Sequence, residues 1–307
     1  MIEIENEQLR IKDISRLICG NPVNAVFESL IEIWKFLLTE SISDYYIKGE
    51  EFTSKFEKQI FTTFPEVYDV VAKSVERNTT ISDILSEDCF CLVIMDGMSL
   101  REAPFIINEL GNEYELKFNY SYSAIPSETR FFTLKNFGMS SPSEITRKEL
   151  PYKFVHLIRE EQVEEIGLES DRLLIWSTHP DQLFSQFKAG FETQDLAQVA
   201  KKTKSIIVQL LKHLKIFGTI IITSDHGYFV DTYSWEGLRD FPSGERYSKV
   251  LPEHLKKYCR LVNDHWILLG RYNTIKRGKY AHIRHGGLSF LECLVPLIEV
   301  RRKKGGK

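Results

Sequence analysis

The sequence predicts an α/β fold: a mostly parallel sheet with helices on both faces, preceded by an N-terminal helical extension. Three observations carry this reading. Short apolar runs such as CFCLVIMD at 89–96 and GTIIIT at 218–223 are continuous rather than alternating, as strands buried on both faces read. Stretches of helical periodicity lie between such runs. Asp and His residues close several of the runs, at the sheet edge where open α/β folds gather ligands.

The elements follow in order. Residues 1–88 read as helical. After Asn21-Pro22, apolar residues Val26, Phe27, Leu30, Ile33, Trp34, Leu37 and Leu38 recur at helical spacing. A second helix covers FTSKFEKQIFTTF and is closed by Pro65; a third covers 66–78. The α/β domain spans 89–301. CFCLVIMD opens it as a strand, SLREAPFIINELG is an amphipathic helix with a glycine stop, and ELKFNYSYSAIP is a second strand and turn. TRFFTLKNFG opens a helix, YKFVHLI reads as an edge strand, and DRLLIWSTHPD is a strand ending in His and Asp. A long helix covers 191–216, GTIIITSDHG is the clearest central strand, and HWILLGRYN and LECLVPLIEV are further strands. Residues 228–284 form a cap or insertion, and 302–307 a basic tail.

Composition narrows the class. The 307 residues suffice for one large domain or two modest ones, and 43% hydrophobic with 27% charged residues is ordinary for a globular protein. No uncharged apolar stretch reaches the roughly 18 residues of a membrane span, and the start lacks the apolar core of a signal peptide, so a cytoplasmic protein without a membrane partner is expected. Five cysteines without a CxxC spacing read as buried thiols of a reducing compartment, with Cys89 and Cys91 on one face of a strand. A formal net charge of −3 does not mark a nucleic-acid binder.

Four segments carry chemistry: CLVIMDGMS at 91–99, AIPSETR at 124–130, TIIITSDHG at 219–227 and AHIRHGGLS at 281–289. Asp96, at a strand tip before a glycine, suits metal ligation or a tight turn. Asp225-His226-Gly227 offers hard oxygen beside borderline nitrogen, a mixture zinc accepts, although such triplets also cap helices. The glycine pair after His285 suggests backbone close to a ligand, while His282 reads as outlying or surface-exposed. Ser127 and Thr129 are either helix N-caps or hydroxyls whose nucleophilicity a dication would raise; both can hold at a helix start. Between 228 and 284, Tyr228, Tyr233, Trp235, Arg239, Arg246, Tyr247, Lys249 and Lys276-Arg277 fit either a nucleotide-bearing substrate or an ordinary packed subdomain.

In order, VIMDGMS, AIPSETR, IITSDHG and IRHGGLSFLECLVP resemble the PglZ family, a branch of the alkaline phosphatase superfamily, across residues 91 to 300. The resemblance implies an alkaline-phosphatase-like fold and hydrolysis of phosphate or sulfate esters through a covalent intermediate at two metal ions, usually zinc, with manganese or magnesium as alternatives. It implies Asp96, Asp225 and His226 as ligands of one metal, Thr129 as the nucleophile bridging both, and Asp181 and His285 as ligands of the other. Where many superfamily members carry a histidine four residues after the second-site aspartate, this chain has Ser185; His179 is the nearby substitute. Arg130, next to the nucleophile, is placed to hold a phosphate oxygen.

These readings make the chain a metal-dependent phosphodiesterase for nucleotide or oligonucleotide phosphodiesters, with a context in phage defence or signalling and defence-system proteins as partners. The alternative is a catalytically weak or inactive PglZ-like scaffold in a defence complex, docked through its helical N-terminal part.

Overall fold

The computed structural model describes residues 2–5, 8–11, 15–184, 193–275 and 282–303. Its centre is a six-stranded sheet of β1 (Phe90–Met95), β2 (Tyr114–Tyr122), β3 (Lys153–Leu157), β4 (Arg172–Ser177), β5 (Ile220–Thr223) and β6 (Leu294–Arg302), in the order β2-β6-β5-β1-β4-β3. β1 pairs in parallel with β4 and β5, and β3 with β4; β6 alone is reversed, antiparallel to both β5 and β2. The predicted mostly parallel sheet is therefore present, with β3 at one edge.

The side chains of β1 alternate between two cores, as the two-residue period of a strand requires. Cys91, Val93 and Met95 join Leu173, Ile175, Ile222 and Ile298 beneath α4 (Glu102–Leu110) and α6 (Thr193–His213). Phe90, Leu92 and Ile94 join Leu174 and Trp176 beneath α5 (Thr129–Phe137). Helices thus cover both faces, and every residue of β1 is buried. That is why the run reads as continuously apolar.

The N-terminal part holds α1 (Pro22–Phe36), α2 (Ile42–Thr63) and α3 (Val67–Arg77). Asn21 caps α1 by accepting from the Val23 and Asn24 N–H groups, with Pro22 at the first helical position, where its missing N–H costs nothing. The segment is not helical throughout: Ile2–Glu5 and Gln8–Ile11 form a short antiparallel pair. One apolar cluster joins these helices to Tyr228, Phe290 and Leu291, and Tyr68 of α3 stacks on Phe290 with ring centroids 4.9 Å apart.

Other expectations are corrected. His265–Leu268 is a strand, but of a separate three-stranded sheet within 228–284. Cys89 precedes β1 and is exposed, as is Cys19, so only Cys91, Cys259 and Cys293 are buried thiols. Arg301 and Arg302 end β6; residues 304–307 of the tail lie outside the described residues, as do Ser185 and Lys276-Arg277. No described helix is long and apolar enough to cross a membrane.

Candidate active site

The site forms where β1 and β5, side by side, reach their carboxyl ends. β1 delivers Asp96 and β5 delivers Asp225-His226. The chain turns after Asp96 through Gly97 at φ +76°, a conformation side chains disfavour, and a Cβ there would lie 3.2 Å from Cβ of Asp181. Asp181 itself is tied to the turn by its N–H, which donates to the Asp96 carbonyl at 2.9 Å.

Asp225 is fully buried, and its Oδ1 accepts from the Gly97 N–H at 3.0 Å and the His226 N–H at 2.9 Å. Those bonds leave Oδ2 to face Thr129, the first residue of α5, whose hydroxyl donates to it at 2.7 Å. The same hydroxyl lies 3.3 Å from Asp96 Oδ1 and 3.4 Å from His226 Nε2. Trp176 of β4 donates its indole N–H to Asp96 Oδ2 at 3.2 Å. His226 Nδ1 sits 3.0 Å from the Gly227 carbonyl, which can only accept; Nδ1 therefore carries a proton and Nε2 is the nitrogen that faces the cluster.

One ligand atom each from Asp96, Asp225 and His226 lie within 4.8 Å of one another, which is the arrangement of a metal-binding group. The electrostatics agree. Burial, then the neighbouring carboxylates of Asp225 and Asp181, push Asp96 well above the usual carboxylate range. Burial disfavours charge on His226, but Asp225, Asp96 and Asp181 outweigh it and lift the imidazole to about 9. Among the described residues no lysine or arginine forms an ion pair with Asp96 or Asp225, so the cluster draws in positive charge. Two carboxylates and one imidazole nitrogen form a donor set that fits a dication such as zinc.

The other predicted residues are spread around this cluster. His285 stacks on His226 with centroids 4.6 Å apart and planes at 20°; burial, then the charge of His226, holds it well below its ordinary value. Asp181 acts electrostatically on both Asp96 and His226. His179 is buried, and burial lowers its pKa against the opposing charge of Glu161; it does not join the three-residue group. Arg130 is exposed at the second position of α5, near enough to Glu128 and Tyr247 to influence both.

The HGG segment, read from the sequence as backbone close to a ligand, has its N–H groups taken by the protein. Gly286 donates to Ser127, Gly287 to Glu292 Oε1, Leu288 to the Leu268 carbonyl, Ser289 to Glu292 Oε2 and Phe290 to Glu57 Oε1. Gly287 is a glycine because the buried Arg246 guanidinium fills the space a Cβ would need. Ser127 is fully buried and donates to the Gly287 carbonyl at 2.9 Å, which makes it a brace and leaves the partly buried Thr129 as the hydroxyl that faces the acidic cluster. Of the cations and aromatics at 228–284, Tyr228 and Arg246 are internal, while Tyr247 reaches the rim and donates to Glu128 at 3.0 Å. Glu57 and Glu292 carried no sequence signal beyond being acidic residues in apolar surroundings.

No protein-family model matches this chain, and no curated protein matches it significantly. PglZ membership is therefore not shown, and the likeness of the four motifs remains a resemblance. Solved structures that match include murine ectonucleotide pyrophosphatase/phosphodiesterase 5, an inactive variant in complex with AMP. That chain is 12% identical, with 70% of this chain and 88% of that chain covered and a TM-score of 0.43.

Proposed function

We propose that the chain is a metal-dependent phosphodiesterase that uses Thr129 to attack nucleotide or oligonucleotide phosphodiesters. The observation that carries the reading is the convergence on the Thr129 hydroxyl of Asp225 at 2.7 Å, Asp96 at 3.3 Å and His226 at 3.4 Å, from two other segments. Asp96, Asp225 and His226 would hold a dication, zinc in the first instance. A bound dication supplies the charge that lowers the cost of the threonine alkoxide.

The chain's own residues set up the rest. The Thr129 hydroxyl hydrogen points at Asp225 Oδ2, its nearest acceptor, so the lone pairs of the oxygen are free to face a phosphorus atom. The Thr129 oxygen bonds to phosphorus as the bond to one ester oxygen breaks, and water then releases the phosphoryl group from Thr129. The start of α5 contributes partial positive charge to the phosphoryl oxygens. Arg130, exposed beside the mouth, serves the same oxygens. Asp181 and His285 would hold a second ion, with His179 as the nearby substitute for the histidine this chain lacks. The defence context and protein partners implied by the PglZ resemblance are part of this reading.

The scaffold reading has one observation in its favour: among the described residues, only one group of three ligand-type side chains gathers tightly. One assay separates the two. Zinc content is measured alongside hydrolysis of bis(p-nitrophenyl) phosphate. The phosphodiesterase reading expects turnover that Thr129→Ala abolishes while zinc is retained; full zinc occupancy without turnover of any diester supports the scaffold.

A further inference from the structure

Glu292 lies two residues before β6 begins, fully buried, and is used from both its main chain and its side chain. Its carbonyl accepts from the Gly227 N–H at 3.1 Å, one residue beyond His226. Its carboxylate accepts from Gly287 and Ser289, each at 3.0 Å, and pairs with Arg246. Arg246 is anchored in turn: its Nε donates to the Tyr272 carbonyl at 3.0 Å, its Nη2 donates to the Gly270 carbonyl, and the guanidinium lies 4.6 Å over Phe229. The Gly287 end of this arrangement continues through the Ser127 hydroxyl to the turn that enters Thr129.

We infer that Glu292, fixed by Arg246, is the positioning residue of this site: its carboxylate holds the loop that sets His285 against His226 and braces the turn leading into Thr129. The assignment rests on the reading of Asp96, Thr129, Asp225 and His226 as a metal-dependent site. A carboxylate is the group the position calls for, because three donors converge on it and it presents acceptors only. A glutamine there would turn an NH₂ toward a backbone N–H or toward the guanidinium, and one of those contacts must open. The loop would then relax away from His285. Residues that orient metal-site groups from outside typically change affinity or activity about 10–100-fold when altered.

The test is Glu292→Gln, read first in metal-free protein labelled with ¹⁵N at histidine. The His285 and His226 imidazole resonances are expected to move, with those of His156 and His254 in place. With zinc added, affinity is expected to fall about tenfold or more, and kcat for a diester to fall with KM nearly constant. Cobalt-substituted protein is expected to show altered visible bands, a signature that loss of stability alone would not produce. Unchanged His285 and His226 resonances overturn the inference, whatever happens to the melting temperature. If Glu292→Gln does not fold, Ser127→Ala removes the hydroxyl that donates to the Gly287 carbonyl and accepts from the Gly286 N–H; the same resonances must move there, and if they do not the inference falls. The two readings fail separately. Shifted resonances in a protein that hydrolyses no diester sustain the positioning role and sink the phosphodiesterase, and unmoved resonances in an active enzyme do the reverse.

Discussion

Replacing Asp225 with Asn separates the metal's contribution to stability from the fold's own. The side chain keeps its shape, and its oxygen can still accept from Gly97 and His226. What is lost is charge. Exchanging two charge-assisted backbone bonds for neutral ones gives up about 1 kcal/mol each. Repulsion between Asp96 and Asp225, whose ligand atoms lie within 4.8 Å, is relieved, but the attraction of Asp225 for the His226 ring, 3.7 Å away, is lost with it, and the two charge effects oppose each other. The metal-free variant should therefore be less stable than the wild type by the hydrogen-bond loss, about 2 kcal/mol. With zinc the gap widens. A wild-type site at a hundredfold excess of free zinc over Kd gains about 2.7 kcal/mol, or about 5 °C in Tm for a chain of this size. The variant, lacking one of two anionic ligands, should gain almost nothing. Thermal unfolding of both proteins with chelator and with zinc, alongside zinc content by mass spectrometry, reads each term. An equal zinc-induced rise in the variant would refute the ligand assignment, and a metal-free variant more stable than the wild type would refute the account of opposing charges.

Arg130→Ala should lower diester turnover and leave zinc content intact, measured by steady-state kinetics and metal analysis; equal rates would remove Arg130 from the site. Trp176→Phe withdraws the donor to buried Asp96 Oδ2 and should cost about 1–3 kcal/mol in urea denaturation. Glu57 has its pKa raised from 4.5 to about 7, by burial first, with Arg271 and the Phe290 N–H opposing. The native state therefore keeps a proton that the unfolded chain releases above pH 4.5. Stability should fall as pH rises from there to about 7, and Glu57→Gln should flatten that part of the profile in denaturation curves.

The parts of the fold legible in the sequence are those with local causes. β1 reads as a strand because both its faces are covered, and Asp96 stands out because a charge follows six buried residues. Asp225 and His226 are legible for the same reason at the end of β5, and Thr129 because a turn precedes its helix. The Arg246–Glu292 pair was not legible: its members are 46 residues apart, and no periodicity records that a buried guanidinium and a buried carboxylate will meet. The Arg271–Glu50 pair spans 221 residues and joins α2 to the insertion. The HGG glycines are ambiguous for a related reason. A glycine needed for packing against Arg246 and one needed for ligand approach look the same in a sequence, and only the partner of each N–H distinguishes them.

Charge accounting across the interior supports the same site by a separate route. Three arginines, Arg101, Arg246 and Arg271, are almost completely buried, and each pairs with a buried glutamate: Glu50, Glu292, or Glu50 and Glu57 together. Burying such pairs is costly unless geometry and extra hydrogen bonds compensate. Here a tyrosine hydroxyl, carbonyls and a backbone N–H group do so, as at Tyr68 with Glu57, the Tyr228 carbonyl with the Arg101 guanidinium and the Phe290 N–H with Glu57. A fold that matches those glutamates with cations leaves Asp96 and Asp225, also buried, with no lysine or arginine ion pair among the described residues; their side-chain partners are the His226 imidazole, the Thr129 hydroxyl and the Trp176 indole. Within one chain, a contrast of that kind separates carboxylates that serve the core from carboxylates set to receive a charge from outside. It follows that a cation should relieve strain at the strand ends of β1 and β5 and have no such effect at Glu50 or Glu292.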